Sequence, residues 1–256
     1  MEGWQGWDEY APFYDWENAR TVGRRDVRFW QDLARRIGGR VLELGCGTGR
    51  LSLPVGRTGV RFVGVDRSAA MIARARRRIR RARLSDRVSL VRGDIRALPF
   101  RPPARFDLVM AAYGVLQSLV READLSATLA SVADVIAPGG LFGVDLVPDV
   151  PIWAEYRNRV RFRGRRRAGG AHVTLIESVR QDRARRLTIF DQEYLERSGA
   201  RRTRRRFSLV FRTLSVRQMT RRLERAGFRV TAVLGDYNGE PWDPRADVWL
   251  ILATKR

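Results

Sequence analysis

Three glycines and three carboxylates carry the chemistry that can be read from this chain. Gly45, Gly47 and Gly49 stand in the run Val41-Leu-Glu-Leu-Gly-Cys-Gly-Thr-Gly-Arg50. Here a short apolar strand ending in an acid, Val41 to Glu43, leads into a turn and then a helix expected to open at about Arg50. Glycine lets the backbone take positive φ and approach a ligand closely. A helix opening beside the turn would aim free N–H groups and its positive dipole end at the same place. That chemistry is a nucleotide-type cofactor site. A dinucleotide fingerprint spaces its glycines G-x-G-x-x-G; here the spacing is G-x-G-x-G, one residue short. The other two carboxylates stand at strand ends. Asp66 closes Arg61-Phe-Val-Gly-Val-Asp66, 17 residues after Gly49, and Asp94 follows the strand Val88 to Arg92 in Gly93-Asp94-Ile95. An ionised carboxylate only accepts hydrogen bonds, which suits a pair of hydroxyl donors.

With Glu43 ahead of G-x-G-x-G and the two acids in this order, the chain resembles the class I S-adenosylmethionine (SAM)-dependent methyltransferases. The resemblance implies that the turn Glu43, Gly45, Cys46, Gly47 and Gly49 holds SAM. It implies that Asp66, with Arg67 beside it, chelates the two ribose hydroxyls. Asp94 would accept from the adenine amino group while Ile95 packs on the ring. Ala111 and Ala112, at the end of a fourth strand Phe106 to Ala111, complete the implied cofactor set, and Tyr14 of the Tyr14-Asp15 pair would close over the methyl donor. An aromatic face tolerates a sulfonium cation without the tight pairing a carboxylate imposes.

These residues need a scaffold. Ala137-Pro-Gly-Gly140 is a turn signal before a fifth strand, Leu141 to Val147. Residues 74–83 form the solvated face of a helix whose buried side carries Met71, Ala75 and Ile79. Four β-rich stretches follow: Arg157 to Arg163, His172 to Arg180, Arg186 to Glu196 and Arg202 to Arg212. They read as an antiparallel meander of three or four strands. Ser215-Val-Arg-Gln218 is a capping box opening a helix that Gly227 ends; strands Phe228 to Leu234 and Asp247 to Thr254 come after it. The expected fold is α/β: a seven-stranded, mostly parallel Rossmann-like methyltransferase sheet with an antiparallel last strand, plus an antiparallel β insertion. Its parts would be an N-terminal cap and SAM-binding core over 1–150, a β lid over 151–212, and a C-terminal helix and hairpin over 213–256. The aromatic N-terminus, with Trp4, Trp7, Tyr10, Phe13, Tyr14 and Trp16, precedes an amphipathic helical stretch from Asp26 to Ala34.

Composition sets further bounds. The 256 residues are 44% hydrophobic and can bury one large core. No apolar run approaches the roughly 20 residues of a membrane span, so no membrane partner is expected. A single cysteine, Cys46, rules out an internal disulfide and fits a reducing cytosol, hence a cytoplasmic location. No His/Cys cluster suggests a metal. The formal net charge is +22, and 49 of the 50 basic residues are arginine, with Lys255 the one lysine. Between Pro151 and Thr213, 18 arginines face six acids. Such a surface attracts polyanions, yet arginine is abundant throughout the chain. The resemblance implies methyl transfer from SAM to an N or O atom of a small-molecule acceptor, with the inserted strands as a β lid over it. An RNA methyltransferase using the arginine-rich insertion, and a non-enzymatic SAM-binding module, are the alternatives. A homodimer is left open, no general base is assigned, and His172 is read as a surface or core residue.

Overall fold

The computed structural model describes residues 6–21, 25–101, 105–147, 155–166 and 170–256. Trp4 lies outside them, as does the expected boundary at 150/151. The chain runs through α1 (Trp7–Thr21), α2 (Arg25–Ile37), β1 (Arg40–Leu44), α3 (Ser52–Gly56), β2 (Arg61–Asp66), α4 (Ala69–Arg81), β3 (Val88–Arg92), β4 (Phe106–Ala111), α5 (Glu122–Val135) and β5 (Ile136–Leu146). It continues through β6 (Tyr156–Arg165), β7 (His172–Asp182), β8 (Leu187–Ser198), β9 (Arg201–Arg212), α6 (Val216–Arg225), β10 (Phe228–Leu234) and β11 (Trp249–Lys255).

Seven strands form one sheet in the order β10-β11-β5-β4-β1-β2-β3. All neighbours are parallel except β11, which runs antiparallel to β5 and to β10. This is the expected α/β methyltransferase sheet. Its central strands read as near-continuous apolar runs because helices cover both faces. On one face, Trp30 and Leu33 of α2 and Val55 of α3 pack with Val41 and Leu108; on the other, Leu125, Leu129 and Val132 of α5 and Met219 and Leu223 of α6 pack with Leu42 and Val109. Met71, Ala75 and Ile79 of α4 are buried at four-residue spacing, and its arginines face outward. Ser215 caps α6 in a full capping box.

Strands β6-β7-β8-β9 form a separate antiparallel sheet, a four-stranded meander. Its inner face does not rest directly on the main sheet. Val173, Leu175 and Tyr194 pack against Tyr10, Phe13 and Trp16 of α1, and α1 lies in turn on α4 through Met71. Helix α1 is thus a layer between the two sheets.

Three elements differ from the sequence reading. The helix after the glycine turn begins at Ser52 rather than Arg50 and lasts five residues. Strand β5 starts at Ile136, because Ala137 to Gly140 form a bulge within the strand, with Gly139 at φ +71° and Phe106 paired to Ile136. The last strand begins at Trp249 rather than Asp247, since Ala246 and Asp243 are tied in a turn.

Candidate functional site

The carboxyl ends of β1, β2, β3 and β4 open onto a cavity of about 660 Å³, within the range of ligand pockets. Glu43, Gly45, Cys46 and Gly47 line its floor; Asp66 and Arg67 line one side, with Asp94 and Ile95 beyond them. Ala112 and Tyr113 stand at the β4 end, and Tyr14 covers the site from α1. Gly49 and Ala111 do not line the cavity. A Cβ on Gly49 would sit 3.2 Å from the Ala75 Cβ, so this glycine packs the turn against α4. Ala111 is buried within β4.

The turn works differently from the expectation of free N–H donors. Cys46 N–H donates to the Val65 carbonyl (3.0 Å), Gly49 N–H to the Cys46 carbonyl (2.9 Å), and Gly47 N–H to Asp66 Oδ2 (2.8 Å). What the glycines supply is conformation and room: φ is +63° at Gly45, +53° at Gly47 and +82° at Gly49. A Cβ on Gly47 would point into the gap below the Tyr14 ring, 3.7 Å away.

Asp66 is held by Gly47 N–H and by Ser68 N–H, which donates to Oδ1 at 2.8 Å. Burial raises its pKa above the usual carboxylate range, against the pull of these backbone donors. Asp94 is gripped by Arg96 from the same turn (2.8 Å) and by Arg67 (3.2 Å), and the Arg96 hydrogen bond leads in lowering its pKa. Cys46 is a buried thiol whose pKa is raised by burial, and it packs so tightly on Gly64 that a Cβ there would come within 2.8 Å of its own.

Glu43 is 4% exposed and accepts from Ser52 Oγ at 2.9 Å. Burial pushes its pKa from 4.5 to about 8. A carboxyl with a raised folded-state pKa stabilises the fold fully below its unfolded pKa, and loses that contribution as pH rises through the folded value. Folding stability in the absence of cofactor should therefore fall by roughly 1.4 kcal/mol per pH unit from this group between about 4.5 and about 8. Thermal melts across that window should be flatter for Glu43→Gln than for the parent; equal slopes would remove Glu43 from the account.

The Tyr14-Asp15 pair divides its labour. Asp15 accepts from Thr48 Oγ1 in the glycine turn (2.6 Å) and pairs with Arg78 of α4 (2.9 Å), which anchors α1 so that Tyr14 faces the cavity. Residues behind the β4 end were not legible as site residues. Arg50 makes a bidentate pair with buried Asp26 of α2 (2.8 and 2.6 Å), and its guanidinium lies 5.5 Å from the Tyr113 ring centre. Asp145 of β5 accepts from Tyr113 N–H (3.2 Å) and from the Tyr237 hydroxyl (3.0 Å), and burial pushes its pKa up to about 6. From the second sheet, Phe211 alone among the described residues of β6 to β9 lines the cavity. His172 lies exposed at the start of β7, away from the cavity lining. Among the described residues no cluster of His, Cys, Asp or Glu could hold a metal ion, and no helix is long and apolar enough to cross a membrane.

The residues present fit SAM. Glu43, the positive-φ glycines Gly45 and Gly47, and the strand-end acids Asp66 and Asp94 surround a cavity large enough for an adenosyl amino acid, and a Cβ on Gly47 would face the Tyr14 ring. Sheet order and site together define a class I SAM-dependent methyltransferase, with SAM as its cofactor. Residues 41–140 match the family model described as "Methyltransferase domain". The chain is 28% identical over 236 residues to the cypemycin N-terminal methyltransferase of a Streptomyces species, covering 89% of this chain and 88% of that one. It is 31% identical over 134 residues to a sterol 24-C-methyltransferase of Aspergillus fumigatus, but spans only 33% of that protein's length. Among solved structures, a SAM-dependent methyltransferase from Clostridium acetobutylicum superposes with a TM-score of 0.80 at 17% identity, over 96% of this chain and 98% of that one. The glycopeptide N-methyltransferase MtfA, complexed with SAM, is 28% identical with a TM-score of 0.59, over 91% and 94%.

Proposed function

We propose that this protein transfers the methyl group of SAM to an amine nitrogen of a small-molecule or peptide-like acceptor, under a roof made by α1 and the β6-to-β9 sheet. The observation that carries the reading is one cavity lined at once by the glycine turn, the two strand-end acids and two tyrosines from α1 and β4. Nitrogen is favoured over oxygen because one relative matched over most of its length is named an N-terminal methyltransferase and another an N-methyltransferase. We place the reaction in the cytoplasm, in keeping with a single, buried cysteine.

SAM supplies a methyl group on a sulfonium, already a good leaving group. The chain's own task is then to hold two reactants in line. Asp66 offers its carboxylate to the ribose hydroxyls, while Asp94 and Ile95 take the adenine. The glycine turn lets the cofactor's tail approach the backbone. Tyr14 and Phe211, from the layers above, exclude water and narrow the route by which an acceptor arrives. Alignment of two bound reactants is worth about 7–11 kcal/mol, so positioning alone accounts for most of the rate. With SAM bound, the acceptor nitrogen would form the N–CH3 bond with its lone pair, the C–S electron pair would stay on sulfur, and the proton of the new ammonium would leave to water.

The test is incubation of the protein with trideuteromethyl SAM and separate pools of amino sugars, N-terminally free peptides and RNA. A trideuteromethyl group in place of one hydrogen on an amine nitrogen is expected. Label in digested RNA nucleosides would instead assign the arginine-rich sheet to an RNA methyltransferase.

A further inference from the structure

Tyr113 is the residue at this site that the family reading leaves without a role, and its backbone is the anomaly. It holds φ +55°, in the left-handed region where a bulky residue is strained. Among the described residues the other non-glycine ones there are Arg83, Asn158 and Arg186, none of which lines the cavity. The conformation is over-determined. Asp145 accepts from Tyr113 N–H at 3.2 Å through its side chain, and from Gly114 N–H at 2.9 Å through its carbonyl. Tyr237 fixes that carboxyl at 3.0 Å. A glycine or asparagine would meet the same backbone at less strain, so the strain is accepted in favour of the ring.

Sheet order says what the ring faces. Asp94 and Asp66 lie at the ends of β3 and β2, and the glycine turn at the end of β1; β4 is the neighbour of β1 on the opposite side. If the adenosyl half rests over β1 to β3, the sulfonium is left beside β4, where Ala112 and Tyr113 line the cavity. The ring already sits 5.5 Å from one cation, Arg50, whose charge Asp26 neutralises through two hydrogen bonds of 2.8 and 2.6 Å. The other charged groups around it are the buried carboxyls of Glu17 and Asp145. An electron-rich ring, a neutralised guanidinium and the Asp145 carboxyl make a wall that favours positive charge.

We propose that Tyr113 is the charge-reading residue of the site: its ring recognises the positive sulfonium of SAM at the transfer position and is indifferent to the neutral thioether of S-adenosylhomocysteine. This rests on SAM occupying the cavity, but on no assumption about the acceptor. Tyr113 is 37% exposed; once bound SAM covers the ring, interaction of the cation with it changes affinity by roughly five- to thirtyfold.

Calorimetry with three ligands tests it: SAM, S-adenosylhomocysteine, and sinefungin, which carries an ammonium where SAM carries its methyl sulfonium. In Tyr113→Asn and Tyr113→Leu, affinity for SAM and sinefungin should fall by about five- to thirtyfold, with S-adenosylhomocysteine within about threefold of the parent. Tyr113→Phe, which keeps the ring, should retain the parent ratios. Asparagine accepts the left-handed backbone, so Tyr113→Asn should melt no lower than Tyr113→Leu. Equal weakening of all three ligands would make the residue merely structural. Unchanged ratios in the ringless variants, loss in Tyr113→Phe matching theirs, or an unfolded Tyr113→Asn would each overturn the proposal. Failure of the parent to bind any of the three would instead refute the cofactor site itself.

Discussion

Replacing Gly47 by valine should abolish SAM binding while leaving the protein folded. The residue sits at φ +53°, and a Cβ there would already touch the Tyr14 ring at 3.7 Å. Valine would be strained there by roughly 1–2 kcal/mol, a cost a large α/β core can absorb, and its two methyl groups would fill the gap between the turn and the ring. The change should also weaken the Gly47 N–H bond to Asp66. SAM raises the melting temperature of the parent by mass action; for Gly47→Val that shift should be absent. A variant still protected by SAM as well as the parent would mean that the glycine turn is not the contact surface.

Asp66→Ala has the next largest expected effect. Its carboxylate is half-buried, is oriented by two backbone donors at 2.8 Å, and lines the cavity. Each charge-assisted hydrogen bond to a ligand hydroxyl is worth roughly 1.5–3 kcal/mol. Two such bonds put the loss at about 3–6 kcal/mol, or roughly a hundred- to ten-thousandfold in Kd. Asp66→Asn keeps the shape and one acceptor oxygen, so it should fall between the alanine variant and the parent. Calorimetric affinity unchanged in a folded Asp66→Ala would withdraw the ribose assignment.

Much of this architecture is written locally. β2, β3 and β4 can be bounded from the chain alone because each is a short apolar run closed by a charged or glycine-rich segment. The meander reads from alternation, since one of its faces is buried against α1 and the other is wet. The unread parts depend on partners distant in sequence. Arg50 finds Asp26 across 24 residues, and Tyr237 finds Asp145 across 92. No periodicity announces either pair. Nor does a side chain type reveal φ: Tyr113 looks like an ordinary residue beyond a strand until its backbone is seen. The bulge at 137–140 was readable as a turn, but not as one that keeps its ladder partner.

The position of α1 decides what removal of the arginine-rich sheet would do. Tyr10, Phe13 and Trp16 pack on Val173, Leu175 and Tyr194, and Glu17 is buried among hydrogen bonds from the Tyr10 and Tyr194 hydroxyls and from Gln192, which also reaches Glu177. Stripping the sheet would bare this apolar face and leave Glu17 without Tyr194 and Gln192. The roof therefore serves the cofactor side as well as the acceptor side: it holds the helix that carries Tyr14.

Hydrogen–deuterium exchange with and without saturating SAM tests the central claim most directly, because it reports where the cofactor sits without reference to any acceptor. Slower exchange is predicted over residues 43–50, 66–68, 93–96 and 112–115, with weaker protection in α1 around Tyr14 and none in the outer strand β6. Protection confined to the arginine-rich strands, or none at saturating SAM, would contradict the account.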